Sequence, residues 1–217
     1  TGFDPKVLIN NRTYPISVSQ RDDTALSFEL DLFETENTLV RNPEAIELSY
    51  DKMDSVIYGH KMALQTKTAT KAAHAFAPDS DSDFTPVIAT TGDNNGEGHK
   101  RLRVEDILKL KRKFDILDIP ADRRFLVLDP RHTEDLILTD LKSFKDITDF
   151  VNGQPKRFAG FNILEFTKNP IYNATTLQKE PFGKVKAGTD TFCSFAFSAD
   201  EVMKADGSFK MYERMND

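Results

Sequence analysis

The segment DPRHTED at 129–135 sets two carboxylates, Asp129 and Asp135, on either side of His132. Carboxylates flanking an imidazole are the groups with which a hydrolase or nuclease holds a general base. The same order is also ordinary helix-start chemistry. Asp129 suits a cap, Pro130 suits the first helical position, and acidic residues in the first turn favour the positive end of the helix dipole. DSDSD at 79–83 has the first three ligand positions of a calcium loop. Phe84 then stands where glycine is needed and Thr90 where a bidentate glutamate should be, so a solvated acidic loop is expected. TTGDNNGEGHK at 90–100 is glycine-rich beside a lysine, but His99 follows Gly98 and no Ser or Thr follows Lys100, unlike a phosphate loop. His60 and His74 are 14 residues apart on one expected helix, about four turns and too far to share a metal ion. Cys193 lies in an apolar run, where a thiol is usually inert. NAT at 173–175 matches a glycosylation acceptor with no other sign of secretion. No catalytic residue, metal site or cofactor site is therefore expected.

The remaining concentration of charge is Lys100, Arg101, Arg103, Lys109, Lys111, Arg112 and Lys113. On a helix with Ile107, Leu110 and Phe114 inward, most of these face water, or else meet an acidic surface on another molecule. An acidic surface exists in the same chain: LSFELDLFETENTLV at 26–40 alternates, with Ser27, Glu29 and Asp31 opposite Phe28, Leu30 and Leu32. Two extended runs, 25–33 and 38–40, around the polar ETEN predict a β-hairpin. Such a ribbon is marginal alone in water and needs a surface to lie on.

The elements around it divide clearly. Residues 1–24, broken by Pro5 and Pro15, read as an extended arm with short strand pieces. Between Pro43 and Pro78 there is no proline and one glycine, Gly59, which predicts a helix over 51–77 capped by Ser49 or Asp51. That rod is about 40 Å long and thinly apolar, through Met53, Val56, Ile57, His60, Leu64 and then alanines. A polar connector follows to residue 99. Then come an amphipathic helix at 104–117, a buried strand in RRFLVLD, a helix from Pro130, a second core strand RFAGFNILEFT, a long loop over 168–190, a third strand TFCSFAF, a short helix opened by the capping box SADE, and a strand in GSFKMYERM.

The 217 residues are 39 % hydrophobic and 29 % charged, enough for a packed core. The net charge of −6 argues against a dedicated nucleic-acid or anionic-membrane binder. No apolar run of about 18 residues exists to span a membrane. The start, TGFDPKVLIN, lacks a basic segment followed by an apolar one, so no secretory signal is expected. A single cysteine forms no internal disulfide and suits a reducing compartment.

The run DLFETENTLV…ELSYDKMDSV…H, from Asp31 to His60, resembles the HK97-like major capsid proteins of tailed bacteriophages, and more closely those of Bacteroidetes phages and prophages. AAHAFAP at 72–78 and RFLVLDPRHTEDL at 124–136 are similar to the same group. The resemblance implies an α+β, HK97-like fold with an N-terminal arm at 1–24 and an extended β-hairpin loop at 25–43. It further implies a spine helix and connector at 44–99, an axial-type α/β domain at 100–190, and a return to the peripheral domain at 191–217. The polar ending MYERMND leads to the expectation of a chain lacking further C-terminal strands. The function implied is that of a non-enzymatic subunit of an icosahedral shell. It would self-assemble through pentamers and hexamers, meet scaffolding, portal or decoration proteins, and touch packaged DNA only non-specifically. Its place would be the virion, and the host cytoplasm during assembly. Expected intersubunit contacts are Arg21, Asp22, Asp23, Glu34, Glu36 and Arg41 against Lys109 and Arg112. Two other classes stay open: a hydrolase- or nuclease-like enzyme using Asp129, His132 and Asp135, and a non-catalytic adaptor of a mobile element.

Overall fold

The structure, a computed structural model, describes residues 6–16, 18, 27, 29–39, 52–96, 99–139, 149–151 and 154–205. The chain forms two compact units, 1–32 with 203–217, and 33–202.

In the first unit the described residues are irregular. Asn11 makes a local turn, its Nδ2 donating to Thr13 O (2.9 Å) and its Oδ1 accepting from Thr13 N (3.1 Å). Val7, Ile9, Val18 and Leu32 are 81, 85, 97 and 83 % exposed. The expected short strand pieces of the arm do not form among these residues. Nor do the described residues of the expected ribbon, 27, 29–33 and 38–39, carry a ladder; 25, 26, 28 and 40 lie outside the described residues. Alternation makes a segment suitable for pairing, but a strand exists only against a partner.

The second unit begins with α1, Lys52–Phe76, within a residue of the expected helix. Both expected caps, Ser49 and Asp51, and the expected strand in GSFKMYERM lie outside the described residues. Along most of α1 the side chains are exposed or half-buried, and Ala73 near its end is the buried one. After an irregular stretch come α2 (Val104–Ile116), β1 (Arg124–Leu128) and α3 (Pro130–Thr139). Next are β2 (Asp149–Val151), β3 (Gln154–Phe158), β4 (Phe161–Glu165), β5 (Ile171–Asn173), β6 (Asp190–Phe192) and β7 (Phe195–Ser198). A mixed sheet runs β2-β3-β4-β1-β7, with β1 parallel to β4 and antiparallel to β7; β5 and β6 form a second, small sheet.

β1 lies inside the sheet, between β4 and β7, and its residues are apolar on both faces. Leu126 and Leu128 point into a core with Ile107 and Phe114 of α2, Leu136 of α3, and Phe158, Phe161 and Ile163. Phe114 meets Phe161 edge-on, 5.2 Å between ring centres. Val127 points the other way, into a second core with Ala73, Ala77, Tyr172 and Phe195. The last turns of α1 thus pack behind the sheet while α2 and α3 pack in front.

Four expectations are corrected. RFAGFNILEFT is two strands, β3 and β4, because Ala159 and Gly160 both take positive φ (50° and 83°) and close a two-residue turn under the Phe158–Phe161 pair. TFCSFAF splits at Cys193–Ser194 into β6 and β7, which belong to different sheets. The long loop before it contains β5, which pairs with β6. SADE opens no helix: Glu201 N reaches Ser198 O (3.1 Å) in a turn, and Ser198 Oγ is buried with no hydrogen-bond partner. Residues 190 and 191 both lie in β6, and β7 continues the sheet of β1 and β4.

Candidate functional site

α2 carries the expected basic contact residues. Its start is held by Asp106, a residue the sequence reading passed over. This buried carboxylate accepts from Thr91 N (2.9 Å), Thr91 Oγ1 (2.7 Å), Arg103 N (3.3 Å) and Lys109 Nζ (3.3 Å). Burial alone would raise its pKa; the hydrogen bonds from Thr91, Arg103 and Lys109 outweigh burial and hold it below the usual carboxylate range. Glu or Asp three residues after a helix start is the signal that could have found it. Beside it, an added Cβ at Gly92 would collide with the Arg101 carbonyl, which accepts from Gly92 N at 2.9 Å.

Much of the basic cluster is neutralised within the chain. Lys109 lies on Asp106, Lys111 on Asp115, Arg103 on Asp93 and Arg101 within 4.0 Å of Asp135. Arg112 and Lys113 are exposed. On the acidic side, Glu34 and Glu36 are exposed. Arg21, Asp22, Asp23 and Arg41 lie outside the described residues. Thr38 Oγ1 is 3.0 Å from His60 Nε2 on α1, so the segment after Glu36 touches its own helix at that point.

Asp129, His132 and Asp135 do gather, but not around one reacting position. Asp129 Oδ1 accepts from Arg131 N (3.1 Å), opening α3 as expected, and its Oδ2 is buried with no hydrogen-bond partner. Asp135 Oδ2 accepts from Leu102 N (3.1 Å) and lies 3.9 Å from His99 Nε2. His132 Nδ1 instead faces Ser194 Oγ at 2.6 Å, and that oxygen also accepts from Asp129 N at 2.9 Å. The hydroxyl oxygen can accept from two directions, so either Ser194 Oγ or His132 Nδ1 can donate in this bond. Burial, the largest influence, lowers the His132 pKa, against the pull of Asp129 and Asp135. The pair pins the β1–α3 corner to the β6–β7 break. Both His132 and Ser194 border an open cavity of about 1250 Å3 between the 78–102 segment, α2 and the sheet, whose other walls include Val87, Leu110, Phe114 and Phe195. Cys193 beside them is pushed far up in pKa, by burial first and by Asp129 second, which keeps it a thiol.

The other residues with chemical potential are used structurally. Asp81 Oδ1 accepts from Val87 N (2.8 Å), and Asp79 pairs with Lys179 (2.7 Å). Among the described residues no group of three or more His, Cys, Asp and Glu side chains is placed to hold a metal ion. No described helix is long and apolar enough to cross a membrane.

The fold is similar to that of a solved structure described as the capsid structure of the cyanophage P-SCSP1u. It matches with a TM-score of 0.52 at 14 % identity, over 74 % of this chain and 54 % of that one. The chain has a phage capsid-like fold. It is of mixed α+β type and spans about half the length of that capsid chain. No protein-family model matches the sequence, and no curated protein matches it.

Proposed function

We propose that this chain is a structural, non-enzymatic subunit of a bacteriophage or prophage icosahedral capsid, of the HK97-like type and close to those of Bacteroidetes phages. The observation that carries the reading is the likeness of fold to the cyanophage capsid chain. It is supported by how little is buried among the described residues at the front of the chain. Val7, Ile9, Val18 and Leu32 are exposed, described residues 29–39 carry no ladder, and α1 has its buried residue, Ala73, only near its end. Exposed apolar side chains and unpaired extended backbone are surfaces that other subunits complete. Many weak repeated contacts then give a stable closed shell.

In this reading residues 25–43 are the loop that overlies a neighbouring subunit, 44–99 are spine and connector, and 100–190 form the axial-type domain. Glu34 and Glu36 of one copy face Arg112 and Lys109 of the next, and complementary charge fixes register more than affinity. Pentamers and hexamers are the intermediates, and the virion is the destination. The test is the double variant E34K/E36K. Its thermal midpoint should equal that of the unaltered protein, while sedimentation shows loss of assembled species. A variant that melts lower and assembles as before would overturn the assignment of these residues.

A further inference from the structure

The cavity beside Ser194 follows the margin of the main sheet. Its walls reach the front core at Leu110 and Phe114 and the back core at Phe76 and Tyr172. A space that touches both faces of a sheet passes round the sheet's margin. All of β7, Phe195–Ser198, lines it, and no residue of β2, β3 or β4 does. The order β2-β3-β4-β1-β7 puts β7 last, so one side of it has no strand among the described residues. Register decides which groups that side presents. Ala199 N donates to Arg123 O at 3.0 Å, one pair beyond Arg124 and Ser198 in the β1–β7 ladder. Bonded and non-bonded pairs alternate in such a ladder, so Phe197 bonds β1 while Ala196 and Ser198 turn their main-chain groups away from it.

Ser198 O is taken by Glu201 N at 3.1 Å. Ala196 N–H, Ala196 C=O and Ser198 N–H have no partner among the described residues. Ser198 Oγ, also bordering the cavity, is buried without one. Buried polar groups are normally bonded, and a donor–acceptor row on a strand edge fits the main chain of one more strand. That strand would lie between α2 in front and the end of α1 behind, so both its faces need to be apolar. Residues 26–33 do not suit, because Glu29 and Asp31 make one face acidic. Lys6, Val7, Leu8 and Ile9 do suit: three successive apolar residues, two of them β-branched, cover both faces. Val7, Leu8 and Ile9 are exposed and carry no ladder. Four residues match the four of β7. Asp81 and Asp83, exposed in the 78–102 segment, offer Lys6 a favourable charge.

We propose that residues 6–9 of a second copy of this chain enter the cavity and pair with the open edge of β7, as a sixth strand bonded at Ala196 and Ser198. The choice of a second copy as donor rests on the shell reading; the open edge itself does not.

The test uses the full chain carrying V7E/I9E, whose own arm no longer competes. Both residues are exposed, so its thermal midpoint should equal that of the unaltered protein. A labelled peptide of residues 4–11 should bind it in fluorescence anisotropy and slow hydrogen exchange at the Ala196 and Ser198 amides. Adding A196P removes a donor that β1 does not use, and should weaken binding about tenfold with circular dichroism unchanged. A peptide carrying V7E/I9E should not bind, a control that needs no change to the sheet. No binding, protection away from β7, or equal binding of the altered peptide overturns the proposal. So does tighter binding of a peptide of residues 26–33, because the edge would then take the acidic ribbon. Assembly is followed separately by sedimentation. An unaltered chain that stays monomeric while the peptide protects β7 would strike the shell reading alone. Assembly of V7E/I9E as readily as the unaltered chain would strike this one alone.

Discussion

Lys179 donates to the carbonyl of Ala77 at 2.7 Å, across 102 positions of sequence. Its other two donors go to His74 O (2.9 Å) and Asp79 Oδ1 (2.7 Å), so the ammonium closes the end of α1 with all its protons used. The last carbonyls of a helix need such partners, and a cation there also favours the dipole. His74 strengthens the same junction by donating from Nε2 to Glu180 O at 2.9 Å.

Lys179→Met keeps the stem of the side chain and removes the donors. Hydrogen bonds involving a charged group contribute about 1.5–3 kcal/mol, and a loss of that size in urea unfolding is expected. Unchanged stability would mean that the end of α1 is held by packing of Ala73 and Ala77 alone.

The His132–Ser194 contact makes a pH prediction. His132 is faced by Asp129 and Arg131 at the start of α3, Asp135 one turn on, His99 from the 78–102 segment, and Ser194 from the β6–β7 break. Its folded pKa is depressed, so the unfolded chain binds the proton first. Its contribution is fully present above the ordinary histidine range, near 6.5, and is lost as pH falls through the folded value. The paired carboxylates Asp79, Asp106, Asp115 and Asp190 also have lowered values, but they act below about pH 4. Urea midpoints measured between pH 7 and 5 should fall for the unaltered protein and fall less for His132→Gln. Parallel curves would refute this role for the imidazole.

Phe161 is fully buried and meets Phe114 edge-on. Phe161→Ala should cost about 3–5 kcal/mol, through lost burial and the cavity left behind. Phe84, 81 % exposed, is the control, and its replacement by alanine should change stability by less than about 0.5 kcal/mol. Comparable losses at both positions would contradict the placement of the core.

The elements that could be read in advance are those with one dominant local signal. Two prolines bracketing a stretch with a single glycine define α1, and Asp129-Pro130 marks the start of α3. The β1 run is apolar on both faces and could be nothing but a central strand. The errors fall where a strand changes partner. Nothing in TFCSFAF says that its first half pairs with β5 and its second with β1, since apolar periodicity is the same in either sheet. Ala159-Gly160 is a weaker turn signal than Asn-Gly, and it sits between two apolar runs that read as one strand. At the candidate sites the sequence named Asp129 and His132 but not Ser194, which is 62 positions from His132 and shares no motif with it. The neutralisation of Lys109 by Asp106 was legible as helical spacing; that of Arg101 by Asp135 depends on packing between elements.

The central claim is that copies of this chain complete one another's exposed front. Sedimentation velocity with electron microscopy of the purified protein measures that directly. The account predicts rings or closed particles that grow with protein concentration. A single monomeric species at every concentration, with no particles in the images, would contradict it.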